Sequence, residues 1–253
     1  MRALVLRPSV HLALSRQDHR PWPIPERRWT WRQSWRDLLF AHWPISASAL
    51  RPLVPAELDI QEFDGTSWIG VVPFRMSGVM RRGVPDLPWL SAFPELNVRV
   101  YVERDGKPGV WFLSLDATNP LAVWAARRFF HLPYYLAQMK LHREGADYVY
   151  ASRRAGAEFQ GRYRTSSGLE PAQPGSLEHW LTERYCLYAR DPRGVLWRNE
   201  VHHFPWPLQR AEAEIEHNTF FEFHRLPRPN GAPLLHFAER IDVVVWGGER
   251  LVP

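Results

Sequence analysis

The sequence predicts a mainly β domain of the α+β class, with two or three short helices. Three observations lead there. Apolar and polar residues alternate with a period of two along short runs, as in half-buried strands. Turn signals separate the runs at hairpin spacing, among them Asp64-Gly65, Asp105-Gly106 and Asp191-Pro192-Arg193-Gly194. Only the segments opening at Asn119 and Ser176 carry a set of helix signals.

Residues 1–20 read as an N-terminal extension, and 21–253 as a single domain entered through the extended lead-in of Pro21, Pro23 and Pro25. A weak helical turn is expected over Ala47–Arg51. Glu57–Phe63 and Thr66–Arg75 form a predicted hairpin about Asp64-Gly65, and Leu96–Arg104 with Val110–Ala117 a second one. Asn119 followed by Pro120 starts a helix, because the amide side chain caps free N–H groups and proline is already set for helical φ. Leu121, Trp124, Ala125 and Arg128 keep helical spacing, and Pro133 ends it. Strands follow at Tyr135–His142, Tyr148–Arg154 and Glu158–Arg164, then a loop from Thr165 to Ser176 and a helix with Leu177, Trp180 and Leu181 on one face. Tyr185–Arg190, Val195–Phe204, Leu208–Asn218 and His236–Trp246 complete the predicted strands.

Composition narrows the function classes. The chain has 253 residues, 45% hydrophobic and 23% charged, which suits a soluble domain with a full core. The longest stretch without Asp, Glu, Lys or Arg is Leu38–Leu50, too short for a bilayer and interrupted by His42 and Pro44. Arg2 and Arg7 bracket only four apolar residues, so no signal peptide is expected, and one cysteine, Cys186, fits a reducing cytoplasm. The net charge is +5, yet only Lys107 and Lys140 are lysines, and the arginines are scattered among nearly as many acids. No basic, aromatic-interleaved block points to nucleic acid. The eleven histidines lack metal-ligand spacing, and His202 and His203 on one strand face opposite sides. No metal and no cofactor is expected. Glu212, Glu214 and Glu216 alternate with apolar residues as a solvated acidic strand face.

The strand Leu96–Arg104 carries the most chemistry. Val98, Val100 and Val102 share one face; Glu95, Asn97, Arg99 and Tyr101 share the other. That polar face either meets water or lines an interior, where Arg99 would hold a ligand carboxylate by paired charged hydrogen bonds. Glu95 is the alternative, structural partner for Arg99. In the strand after Pro133, Tyr134 and Tyr135 point to opposite faces, and a tyrosine in a dry pocket donates to a carbonyl or oxyanion. His42 lies in the apolar run Leu38-Leu39-Phe40-Ala41-His42-Trp43, as a buried structural histidine or an acid–base group.

Several segments together resemble the YqjF-like domain of unknown function. They are Trp35–Trp43, Leu53-Val54-Pro55, Phe93–Arg99, Gly106–Phe112, Leu132–Tyr135, Leu181–Tyr185 and His203–Leu208, running in order over nearly the whole chain. That family is similar in fold to acetoacetate decarboxylase, which implies a cone-shaped antiparallel β-barrel with flanking strands and an interior cavity. The decarboxylase forms a Schiff base through a lysine in Gly-Phe-Pro-Lys-Lys-Leu-Ala. That segment falls on His131–Ala137, where both lysines are replaced by Tyr134 and Tyr135. A phenol forms no imine. The decarboxylase's Pro-Tyr-Asn-Glu-Val falls on Pro94–Val98, with Asn97 in the carboxylate position. The reading is a small-organic-anion binding protein, cytoplasmic and a possible homo-oligomer, with Arg99, Asn97, Tyr101 and Tyr135 as substrate-binding residues. The alternative is an enzyme of lyase or hydrolase type using Tyr134, Glu95 and His42 for non-covalent proton transfer.

Overall fold

Leu38–Trp43 has no period-two alternation because both of its faces are covered. It forms the middle of β1 (Trp31–Ile45), a fifteen-residue strand absent from the predicted set. Asp37 adds to the disguise. It sits at φ 52°, in a bulge where the pairing of Arg36 and Ala41 with the neighbouring strand shifts register. The computed structural model describes residues 11–84 and 92–252, so residues 1–10 of the predicted extension lie outside the described part.

The chain continues through α1 (Ala47–Leu50), β2 (Asp59–Ile60), β3 (Ser67–Arg81), β4 (Phe93–Arg104) and β5 (Lys107–Ala117). Then come α2 (Pro120–Phe130), β6 (Tyr134–Leu136), β7 (Gln138–Glu144), β8 (Asp147–Arg154), β9 (Ala157–Thr165) and α3 (Leu177–Thr182). β10 (Cys186–Arg190), β11 (Leu196–His202), β12 (Gln209–Asn218), α4 (Phe220–Phe223), β13 (Leu234–Val245) and β14 (Glu249–Arg250) follow. The expected helix caps form: Asn119 Oδ1 accepts from the Leu121 and Ala122 N–H groups, and Ser176 Oγ from that of His179. The first predicted hairpin does not. β2 pairs with β4, and only an isolated bridge between Phe63 and Thr66 spans the Asp-Gly turn. The predicted strand Tyr135–His142 is divided at Ala137 into β6, parallel to β5, and β7, in a hairpin with β8.

The strands run in the order β14-β11-β10-β5-β4-β3-β1-β13-β12-β9-β8-β7, and an added pairing of β11 with β13 closes β11-β10-β5-β4-β3-β1-β13 into a ring. The parallel β5–β10 contact in that ring depends on Gly109, where a Cβ would stand 2.6 Å from Cys186 Sγ and 2.8 Å from its carbonyl oxygen. One face of the ring packs Leu39, Ala41, Ile69, Leu96 and Val98 against Tyr150 and Phe159 of the β7–β8–β9 arm. The other packs Leu38, Phe40, Val72, Phe74 and Leu115 toward α2 and Trp206. Among the described residues, no helix is long and apolar enough to cross a membrane.

Candidate functional site

A cavity of about 170 Å³ opens on the second of these faces, and every strand of the ring contributes to its wall. On β4 the pleat turns Glu95, Asn97 and Arg99 into the cavity, while Leu96, Val98 and Val100 join the core behind it. The predicted alternation of this strand therefore holds, and its polar face lines an interior rather than meeting water.

Arg99 is 7% exposed. It donates through Nε to the Tyr101 hydroxyl at 3.3 Å and through Nη2 to the Leu181 carbonyl at 3.4 Å, with its guanidinium 5.1 Å from the centre of the Phe40 ring. Among the described residues no carboxylate pairs with it. Glu95, the alternative partner, instead accepts a 2.8 Å bond from the Tyr134 hydroxyl. Burial pushes the Glu95 carboxyl up to about 8, so it carries a proton at neutral pH. Tyr134 is driven well above its ordinary range by burial and by Glu95 beside it, so it stays a neutral donor. Asn97 Oδ1 is buried without a hydrogen-bond partner. The wall thus combines a cation without a counter-ion, a neutral acid and an unused amide acceptor.

Tyr101 and His42 do not line the cavity. They stand behind Arg99: the Tyr101 hydroxyl and His42 Nε2 share a 2.6 Å hydrogen bond, and Tyr101 packs on Trp180. Burial, then the charge of Arg99, lowers the His42 pKa well below its usual range, which keeps the imidazole neutral. The ring occupies space that Gly70 leaves open, since a Cβ there would lie 2.9 Å from His42 Cδ2. Tyr135 is also elsewhere. Strand alternation turns it away from Tyr134, onto Arg154, whose guanidinium lies 4.0 Å from its ring centre and 4.1 Å from that of Phe223.

Among the wall residues that the sequence does not single out as a site are Trp35, Arg184, His203 and Trp206. Arg184 is 7% exposed, donates through Nε to the Trp180 carbonyl and through Nη1 to Gln61 Oε1, and leaves Nη2 without a partner. Burial lowers its pKa to about 10. His203 faces the cavity while His202 faces the segment at residues 13–16, the opposition expected of neighbours on a strand. All four belong to segments that carry the family resemblance, and no spacing signal singles them out.

Neither lysine reaches the cavity wall. Lys107, expected in water from its Gly/Pro turn, is only partly exposed and pairs with Glu200 Oε1 at 3.2 Å. Lys140 is exposed on β7.

The chain is 46% identical over 226 residues to the uncharacterized protein YqjF of Bacillus subtilis (strain 168), covering 88% of this chain and 93% of that one. Among solved structures it is similar in fold to the enduracididine biosynthesis enzyme MppR with HEPES buffer bound (TM-score 0.64, 12% identity, 88% of this chain and 87% of that one). It is similarly close to acetoacetate decarboxylase from Legionella pneumophila (TM-score 0.62, 12% identity, 97% and 98%). A family model, DUF2071, matches residues 32–242. With most of its length matched, the chain belongs to DUF2071, a family described as an uncharacterized conserved protein.

Proposed function

We propose that this protein binds a small organic anion inside a β-barrel formed by the seven-strand ring, with Arg99 as the anchor. The observation that carries the reading is Arg99 itself, buried on the cavity wall with no carboxylate partner among the described residues. A buried guanidinium without a counter-ion is costly, and a ligand carboxylate supplies two charge-assisted hydrogen bonds. Asn97 and the Glu95–Tyr134 pair form the polar wall beyond it. The fold neighbour MppR has also been solved in complex with pyruvate, a small carboxylate, which supports the choice of ligand class. Imine chemistry is not part of the proposal, because Lys107 is paired with Glu200 and Lys140 lies off the cavity wall.

Calorimetric titration of the protein with a panel of small carboxylates and keto acids tests this. At least one is expected to bind, with affinity falling at least tenfold in Arg99→Gln, or about 1.4 kcal/mol. A folded Arg99→Gln protein that binds every anion as tightly as the unaltered one would overturn it. Borohydride trapping with keto acids, read by intact mass, is expected to give no adduct where a true decarboxylase control reacts.

A second reading is favoured by one observation. Glu95, raised to about 8 and bonded to Tyr134, is an acid poised near neutral pH, as non-covalent proton transfer requires. Turnover of a bound keto acid, with a pH profile breaking near 8 and flattened in Glu95→Gln, would select this reading over simple binding.

A further inference from the structure

Two buried cations, not one, stand at one end of this cavity. We propose that its ligand is a one-ring aryl monocarboxylate whose carboxylate is held jointly by Arg99 and Arg184 and whose ring fills the aromatic body of the cavity. The inference rests on the anion-binding reading above and narrows it to a chemical class.

The placement of the charges comes first. Both guanidinium groups belong to cavity-lining residues and lie against the same ring, Arg99 at 5.7 Å and Arg184 at 5.0 Å from the centre of Tyr101, so they share one end of the cavity. Neither has an acidic partner among the described residues. Arg184 is fixed there by the Trp180 carbonyl and by Gln61, whose own amide donates to Glu103 Oε2 at 2.6 Å. The unpartnered Nη2 of Arg184 is therefore held in position rather than adrift. Two like charges confined together out of water repel, and one shared anion relieves both.

The body of the cavity sets the rest of the ligand. Trp31, Trp35, Phe74, Phe112, Phe130 and Trp206 line it, and aromatic walls favour an aromatic guest through offset and edge-to-face contacts. Its volume, about 170 Å³, is close to the ~150 Å³ of an apolar cavity that accepts benzene, so one ring with a short acidic arm fits and a long acyl chain does not. Among the described residues, the far end has no third arginine or lysine on the wall. Glu95 stands there, four residues from Arg99 and so about 13 Å along the strand, and at neutral pH it is an uncharged donor. That end accommodates a neutral oxygen and disfavours a second carboxylate.

Titration calorimetry of the full chain with phenylacetate, benzoate, glutarate, decanoate and phenylacetamide is the test, using wild type, Arg184→Gln and Arg184→Lys, with Arg99→Gln as a reference. Phenylacetate or benzoate is expected to bind at least tenfold tighter than glutarate or decanoate, and phenylacetamide at least tenfold weaker than phenylacetate. Arg184→Gln should weaken the aryl acid at least tenfold. Arg184→Lys, which keeps the charge and loses the planar fork, should weaken it at least threefold, and this decides the matter if the glutamine variant fails to fold. Tighter binding of glutarate or decanoate, or a folded Arg184 variant matching wild type, overturns the inference while leaving the Arg99 anion site standing. No binding by any acid of the panel, or binding indifferent to Arg99→Gln, overturns both.

Discussion

Glu95 links the site to stability through a single proton. Its carboxyl is raised from an ordinary value of 4.5 to about 8 by burial, against the lowering effect of the Tyr134 hydrogen bond. The folded protein therefore holds this proton more tightly than the unfolded chain. The resulting stabilisation is fully present below about 4.5, declines as pH rises toward about 8 and is gone above it. Glu95→Gln keeps an uncharged acceptor for Tyr134 and removes the titration. Urea unfolding of the two proteins from pH 4.5 to 9 should show wild type losing ground to the variant, by about 3 kcal/mol at pH 7, then running parallel above pH 8. Parallel curves over the whole range would mean that Glu95 is already ionised in the fold.

At the level of elements, the ring has one parallel contact, β5 against β10, and Gly109 sets how near they come. A methyl there would meet the Cys186 thiol, the Cys186 carbonyl and the Tyr188 ring, all within 2.9 Å. Because the carbonyl belongs to β10 itself, relief requires moving the strand. Gly109→Ala is expected to cost about 2 kcal/mol or more in urea unfolding. Gly106→Ala is the control: its added carbon meets open space but its φ is +67°, so only the local penalty of about 1 kcal/mol applies. Equal costs would remove the close-approach argument. The same elements explain what the sequence revealed. β4 was readable because one face is apolar core and the other holds Glu95, Asn97 and Arg99, which keeps the alternation clean. β1 was hidden because both its faces are buried and Asp37 interrupts its register. Arg184 and His203 were beyond reach for another reason: ring closure, a long-range event, brings their segments to the same cavity wall as β4. The three glutamates of β12 were read correctly as a solvated face, and Glu212 and Glu214 pair across it with Arg164 and Arg162 of β9.

Across the whole molecule, the segment before β1 is bound to the ring through one buried carboxylate. Glu200 on β11 accepts from Arg20 Nη2 and Trp22 Nε1, both at 2.8 Å, and pairs with Lys107 at 3.2 Å and Arg198 at 3.6 Å. Arg198 extends the network to Glu249 on β14. The N-terminal segment, the β4–β5 turn and the last strand thus meet at a residue 3% exposed. Two arginines beside it are nearly as buried, with the side chains of Arg20 and Arg198 only 1% and 7% exposed. Glu200→Gln would leave them facing each other without a central negative charge. Removing one member of a buried ion pair costs about 3–5 kcal/mol, mostly from the charge left uncompensated. The expected result is a loss of about that size in urea unfolding, with faster amide exchange in the segment around Arg20 and Trp22. Glu249→Gln breaks a pair whose acid is 53% exposed, so its effect should stay within about 1 kcal/mol and shrink further in salt. If the two variants behave alike, Glu200 is not the group that fastens this segment to the ring; if exchange rises only in the first, the carboxylate holds the leading segment and both ends of the ring in one unit.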